Sequence, residues 1–217
     1  MRADARKNYD HVLAVARAVV AEQGVDASLR DVARRAGVGL GTLYRHFPTR
    51  EALLEAMLRA GFDEMAERAD ELEASSSSED ALLSWIREFV EYASRYRGVV
   101  ASMMAAIEDV ESALHASCVT MKAAGTRLLA RAQAEGTART DIDGADLFAL
   151  AGAVAWLGGQ PSLAPRVDRL LGVITSAILS GRTTGATARE PARSPVSDRS
   201  PRAANVRRRR PVGGARG

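Results

Sequence analysis

Hydrophobic residues recur at intervals of three and four along most of this chain, a spacing that predicts α-helices. One apolar stripe predicts a first helix from about Asn8 to Gln23, after a polar and frayed arm over residues 1–7. Short second and third helices are expected over 28–36 and 40–47. Strand-like alternation is absent from the sequence, which therefore predicts an all-α fold.

Longer apolar stripes fill the middle of the chain. A helix over Thr49–Ala74, with Thr49 as a candidate cap, is expected to connect the N-terminal head to a helical body. Serines 75–78 form a hinge-like break after it. A further helix begins at Ser78, and Gly98 is expected to end it. The remaining helices are predicted over 99–110, 111–136 and 166–180, and in the apolar run 147–158, before which Asp143 is a candidate cap.

Residues 28–47 have the spacing of a helix-turn-helix. Ser28 is a good N-cap, and Gly37 suits the left-handed conformation that often ends a helix. Inward-facing apolar residues leave small and hydrogen-bonding side chains on the outer face of the second short helix, which is shaped to enter a DNA major groove. Candidate DNA-binding residues are Ser28, Arg30, Gly41, Thr42, Tyr44, Arg45, His46 and Arg50. The alternative is an ordinary helical hairpin with solvated arginines.

From about Asn8 to Leu58 the chain resembles the DNA-binding domain of the TetR family of bacterial transcriptional repressors. The resemblance lies in three runs: VLAVARAVVAEQG, SLRDVARRAGV and GTLYRHFPTREALL. It implies a homodimer that binds a palindromic double-stranded DNA operator and responds to a small-molecule effector, here of unknown identity. Leu40 departs from the family, because many members carry a polar residue there. Its presence shifts base reading toward Arg30, Gly41, Tyr44 and Arg45, or toward DNA shape.

Two helices near the end of the body, DLFALAGAVAWLGG and LLGVITSAIL, are apolar on more than one side. Such helices must be buried, and in a body of this size that favours packing against a second copy. The resemblance likewise implies a four-helix dimer interface. Candidate interface residues are Leu150, Val154, Leu170, Ile174 and Ile178. The alternative is a monomer whose own core includes both helices.

Methionine and aromatic side chains in the body are candidates for the wall of an effector pocket. They are Trp85, Phe89, Tyr92, Met103, Met104, Ile107, His115, Met121 and Trp156. The alternative for most of them is a place in the hydrophobic core, and for His115 a core or surface histidine.

Charge divides the chain into three parts, which are also the expected domains. Residues 1–50 carry nine basic and five acidic residues, a net charge of +4, which suits DNA. Residues 51–181, the effector-binding and dimerisation domain, carry eleven and twenty, a net charge of −9. Residues 182–217 carry ten and two, a net charge of +8, and this arginine- and proline-rich tail is expected to be disordered.

Other classes of function find little support in the sequence. The three histidines have no partners at metal-ligand spacing, and no phosphate-binding glycine loop occurs, so neither an enzyme nor a cofactor or metal site is expected. A single cysteine, Cys118, and the lack of long apolar runs favour a cytoplasmic protein, associated with the nucleoid when bound to DNA and without a membrane partner. The competing hypothesis is a helical binding protein that keeps the head but regulates through protein contacts.

Deletion of residues 182–217 should lower the affinity for all DNA sequences alike. The tail has a net charge of +8 but no pattern for reading bases, so its contacts would act through counterion release, at a slope of about −0.9 per neutralised phosphate. Binding to operator and random DNA across a salt series checks this. A deletion that changed the preferred operator would contradict it.

Overall fold

Residues 2–179 are described by a computed structural model, in which ten α-helices follow one another within a single compact unit. The helices are α1 Arg2–Gln23, α2 Leu29–Arg35, α3 Leu40–His46, α4 Arg50–Ser75, α5 Ser78–Arg95, α6 Arg97–Ser102, α7 Met104–Glu108, α8 Ala113–Ala134, α9 Gly144–Gly158 and α10 Val167–Ile178. Short 3₁₀ turns occupy Gly24–Asp26 and Ala164–Arg166. Over these residues the extended pairing is limited to one isolated bridge between Ala138 and Leu179, so the all-α prediction is confirmed.

The head consists of α1, α2, α3 and the start of α4. Ser28 caps α2, its Oγ accepting a hydrogen bond from the Asp31 N–H at 3.1 Å. Gly37 follows α2 with a φ of 65°, the left-handed conformation predicted for it. Leu43 of α3 and Phe47, which directly follows this helix, are buried in the same hydrophobic core as the apolar stripe of α1. The predicted helix-turn-helix is therefore present.

The body is a bundle in which α4 packs mainly against α8, and α5 lies against both α8 and α9. Trp85 stands at the centre, almost fully buried, and its indole N–H donates to the Met65 carbonyl oxygen at 2.9 Å. This bond satisfies the one polar atom of a large core side chain. Near the C-terminal end of α4, Arg131 on α8 donates to the Glu73 carbonyl oxygen at 2.7 Å.

Three helix boundaries differ from the sequence predictions. The first helix begins at Arg2 instead of Asn8, because residues 2–7 contain no glycine or proline to stop it. The stretch 99–110 forms two short helices, α6 and α7, separated at Met103.

Gly98 was predicted to end a helix, but it lies inside α6. Helix α5 ends earlier, where the ring of Tyr96 turns into the core. A Cβ on Gly98 would lie 3.3 Å from Cγ1 of Val25, so glycine allows α6 to approach the head closely. The serine break is confirmed, since α4 ends at Ser75 and Ser77 caps α5.

The predicted disordered tail lies outside the described residues. Across residues 2–179, no helix combines the length and apolar character that crossing a membrane requires.

Replacing Gly37 with alanine should destabilise the chain by about 1–2 kcal/mol, because an L-residue is disfavoured at positive φ. The matched change Gly41→Ala, at an exposed helical position with open space around it, should instead stabilise it by about 0.5–1 kcal/mol. Urea unfolding of both variants measures this difference. Equal effects would show that backbone conformation does not govern the turn.

Candidate nucleic-acid interface

The outer face of α3 is exposed. Gly41, Arg45 and His46 lie on the surface, and the side chain of Tyr44 is 47% exposed, unusual for a tyrosine beside a core. Arg45 Nη2 donates to Thr42 Oγ1 at 3.0 Å, so the guanidinium is held along the helix surface. Because residue 41 is glycine, no side chain projects from the start of this face, which permits close approach of DNA.

A shallow groove of about 540 Å³ adjoins this face. It joins the N-terminus of α2, the edge of α3 and the N-terminus of α4, and its wall consists of Asp26, Ala27, Ser28, Leu29, Arg30, Tyr44, Pro48, Thr49 and Arg50. Four of the predicted DNA-binding residues, from separate parts of the sequence, therefore meet here. Free backbone N–H groups and the helix dipole at the start of the 26-residue α4 favour an anion in the same place.

Arg50 is only loosely paired within the chain. Its guanidinium lies 3.8 Å from Asp26 Oδ1 and 3.6 Å from Glu51 Oε1, at the surface. Exposed ion pairs of this length contribute little to stability. Hydrogen bonding to its own backbone N–H lowers the pKa of Glu51, which keeps this carboxylate ionised. A DNA phosphate would compete easily for Arg50.

The ring of His46 packs against other aromatic rings of the head. Its ring stands edge-on to Tyr9 of α1, with 6.0 Å between centroids, and Tyr9 in turn packs on Phe47 at 5.1 Å. These rings fix the end of α3 against α1. Leu40, where the resembled family often has a polar residue, is half-buried and packs on the core.

Two polar residues of the groove, Thr49 and Asp26, were missed as site residues from the sequence. Thr49 caps α4, its Oγ1 accepting from the Ala52 N–H at 3.0 Å, and it lines the groove beside Arg50. Asp26 brings a negative charge to the same wall. A threonine before a helix signalled the cap, but only the fold brings that cap next to Ser28.

The predicted effector-pocket residues differ widely in their burial. Trp85, Phe89 and Met121 are buried in the core, Tyr92, Met103, Ile107 and His115 are half-buried, and Met104 and Trp156 are exposed. His115 Nδ1 lies 2.8 Å from the Ile107 carbonyl oxygen, a local hydrogen bond between α8 and α7. Trp156 is 59% exposed because α9 turns it away from the bundle.

Cavities occur at other places in the body. Phe89 borders one of about 520 Å³ with Phe148, Lys122 and Thr126. A cavity of about 840 Å³ lies between α5, the end of α9 and the start of α10, and none of the nine predicted residues lines it.

The predicted interface residues also separate into two groups. Val154 and Ile178 are almost fully buried within the subunit, because α9 packs one face on α5 and α8 and α10 packs on α9. Leu150 is 38% exposed, and Leu170 and Ile174 are half-buried. Exposed apolar residues on the same two helices include Trp156 and Val173, the latter 60% exposed. Helices α9 and α10 therefore leave apolar side chains on their outer side uncovered within the described residues.

Within the described residues, no cluster of histidine, cysteine and acidic side chains could hold a metal ion. Cys118 is buried, and burial raises the pKa of its thiol, which makes it a poor nucleophile.

Comparison with known proteins agrees with this architecture. Residues 12–57 match the family model for bacterial regulatory proteins of the tetR family, and residues 77–178 match the C-terminal domain model of SbtR-like transcriptional regulators. A crystal structure of a TetR transcriptional regulator from Streptomyces coelicolor is 35% identical, covers 78% of this chain and 97% of that one, and gives a TM-score of 0.66.

Two further relatives are similar. A TetR regulatory protein from Mycobacterium vanbaalenii is 33% identical, with 82% and 98% of the two chains covered and a TM-score of 0.65. An HTH-type transcriptional regulator of Staphylococcus aureus is 34% identical over 64 residues, which span 29% of this chain and only 35% of that protein. The two family models and the near-complete coverage of the solved relatives lead to one conclusion: the chain belongs to the TetR family of bacterial transcriptional regulators.

Proposed function

We propose that this protein is a ligand-responsive repressor that binds a palindromic operator as a homodimer. The observation that carries the proposal is the groove beside α3, where two helix N-termini meet Arg30, Tyr44 and Arg50. An exposed helix that can read bases thus lies next to a surface that can hold a phosphate. That combination is what a helix-turn-helix needs for DNA binding.

The proposed DNA contacts fall into two groups according to their position on the head. Ser28, Tyr44, Thr49 and Arg50 surround the groove and are proposed to bind phosphate oxygens, which sets the depth and angle of α3. Gly41, Thr42, Arg45 and His46 face outward from α3 and are proposed to lie in the major groove, with Arg30 at its edge. Since Thr42 already accepts from Arg45, it would also orient that guanidinium toward a base.

Homodimer formation is proposed through the outer side of α9 and α10. Leu150, Trp156 and Val173 are exposed there, with Leu170 and Ile174 partly exposed beside them. Two such surfaces related by a twofold axis would bury apolar area on both subunits. Each head must then meet successive major grooves about 34–36 Å apart, so the dimer fixes the operator spacing.

The effector response is proposed to act through α4, which begins at the groove beside α3 and buries Met65 and Leu72 in the core of the body. A ligand that favours one packing of the body helices would rotate α4 and move the two heads off their spacing.

The second candidate function, regulation through protein contacts alone, makes a different prediction. Regulation through protein contacts requires no salt-dependent affinity for palindromic DNA from the gene's own upstream region. A repressor function requires such affinity.

Substitution of Arg45 by alanine should weaken operator binding by about 1–3 kcal/mol and random DNA binding much less, since a guanidinium in the major groove reads a base edge. Tyr44→Ala and Arg50→Ala should weaken both alike, because phosphate contacts carry no sequence information. Fluorescence anisotropy at fixed salt measures all three. Arg59→Ala, an exposed arginine on α4, is the control. Equal losses for Arg45→Ala on both DNAs would make Arg45 a phosphate contact.

Val173→Arg should dissociate the dimer, because it places an unpaired charge in the proposed interface at a cost of several kcal/mol. The same change at Val119, which is 50% exposed on α8, is the matched control and should leave the dimer intact. Sedimentation velocity and operator affinity are the measurements. A Val173→Arg dimer would place the interface elsewhere on the body.

A further inference from the structure

Three helices meet at one point between the head and the body. Arg17 on α1 pairs with Glu64 on α4, with 2.8 Å between Nη1 and Oε2. Tyr92 on α5 packs beside this pair and also borders a cavity of about 370 Å³ with it. Since α1 belongs to the head and α5 to the body, a movement of one relative to the other must change these contacts.

Gly61 makes this arrangement possible. It lies in the interior of α4, where glycine normally destabilises a helix relative to alanine. A Cβ at this position would overlap the ring and hydroxyl of Tyr92. The glycine therefore lets the Tyr92 ring lie directly on the backbone of α4.

The contact leaves polar atoms without partners. Tyr92 Oη and Arg17 Nε are both buried, and neither has a hydrogen-bond partner within residues 2–179. Burial raises the pKa of the Tyr92 phenol, so the hydroxyl stays protonated and its donor stays unused. A buried polar group without a partner destabilises the arrangement that buries it.

The cost is specific to this arrangement of the helices. A shift of α1 away from α4 and α5 would open the adjoining cavity, whose other walls are Ala18, Ala21, Arg95 and Tyr96, and would expose both atoms to water. The small side chains of Ala18 and Ala21 offer little resistance to such a movement. The described arrangement is thus opposed by a penalty that a second arrangement would lack.

We propose that the Tyr92 hydroxyl, held over Gly61 beside the Arg17–Glu64 pair, destabilises the described head–body arrangement. It thereby reduces the difference in free energy between this arrangement and a second one. Its role is to position the head, not to bind DNA. The link to operator binding rests on the proposed function, whereas the balance between the two arrangements does not.

Tyr92→Phe in the full chain tests this, because it keeps the ring and removes only the hydroxyl. The variant should melt at a higher temperature than the parent. Amide hydrogen exchange over residues 17–23 and 61–65 should slow by about fivefold or more, the effect expected from removing one buried unpaired group. Tyr96→Phe is the matched control, since its ring lies 4.9 Å from that of Tyr92, and it should show neither gain.

Gly61→Ala supplies the opposite change, because its methyl group forces Tyr92 off α4. Exchange over the same residues should become faster, and operator affinity should move in the direction opposite to that of Tyr92→Phe. A lower melting temperature or unaltered exchange in Tyr92→Phe would overturn the proposal, as would an equal gain in Tyr96→Phe. Unchanged operator affinity in both variants would overturn its regulatory role.

The exchange measurements are made without DNA. A parent chain that fails to bind its operator would therefore refute the proposed function without deciding this inference.

Discussion

The burial of α4 is the interaction on which the rest of the described structure depends. This helix has 26 residues and is therefore about 39 Å long. Leu53 and Leu54 near its start are buried, and so are Met65 and Leu72 farther along. One element thus packs in both the head and the body, and its N-terminus forms part of the groove beside α3. We therefore expect a change in the packing of the body against α4 to affect the head as well.

Close approach of helices to α4 and α8 is made possible by glycine. Gly61 accommodates Tyr92, and Gly125 on α8 accommodates Trp85, whose ring would overlap any Cβ there. The two sites differ in how they treat the polar atom of the ring. Trp85 donates its N–H to Met65, whereas the Tyr92 hydroxyl has no partner. The indole N–H at the centre of the body is therefore hydrogen-bonded, whereas the Tyr92 hydroxyl at the junction with the head has no partner within the described residues.

The apolar character of α9 and α10 has two consequences. One side of each helix completes the subunit core through residues such as Val154 and Ile178, and the other side exposes Leu150, Trp156 and Val173. A monomer would leave that second side in contact with water, at a cost proportional to its apolar area. Dimer formation by this surface would fix the distance between the two heads.

Local signals in the sequence determined the head and most helix limits. Ser28, Gly37, Thr49 and Asp143 act as caps or turns through their own backbone neighbours, so their roles are visible before any tertiary contact is known. The helix-turn-helix and the exposed outer face of α3 follow from these signals and from the apolar spacing.

Only the tertiary structure decided which apolar residues face the core. Periodicity gives the apolar sides of α9 but not the neighbours that cover them, so Trp156 was expected in a pocket and lies on the surface, while Val154 was expected in an interface and lies in the core. Gly61 and Gly98 carry no local signal of their roles. Each is explained by a side chain from a distant part of the chain, Tyr92 or Val25, and only the folded arrangement brings those groups together.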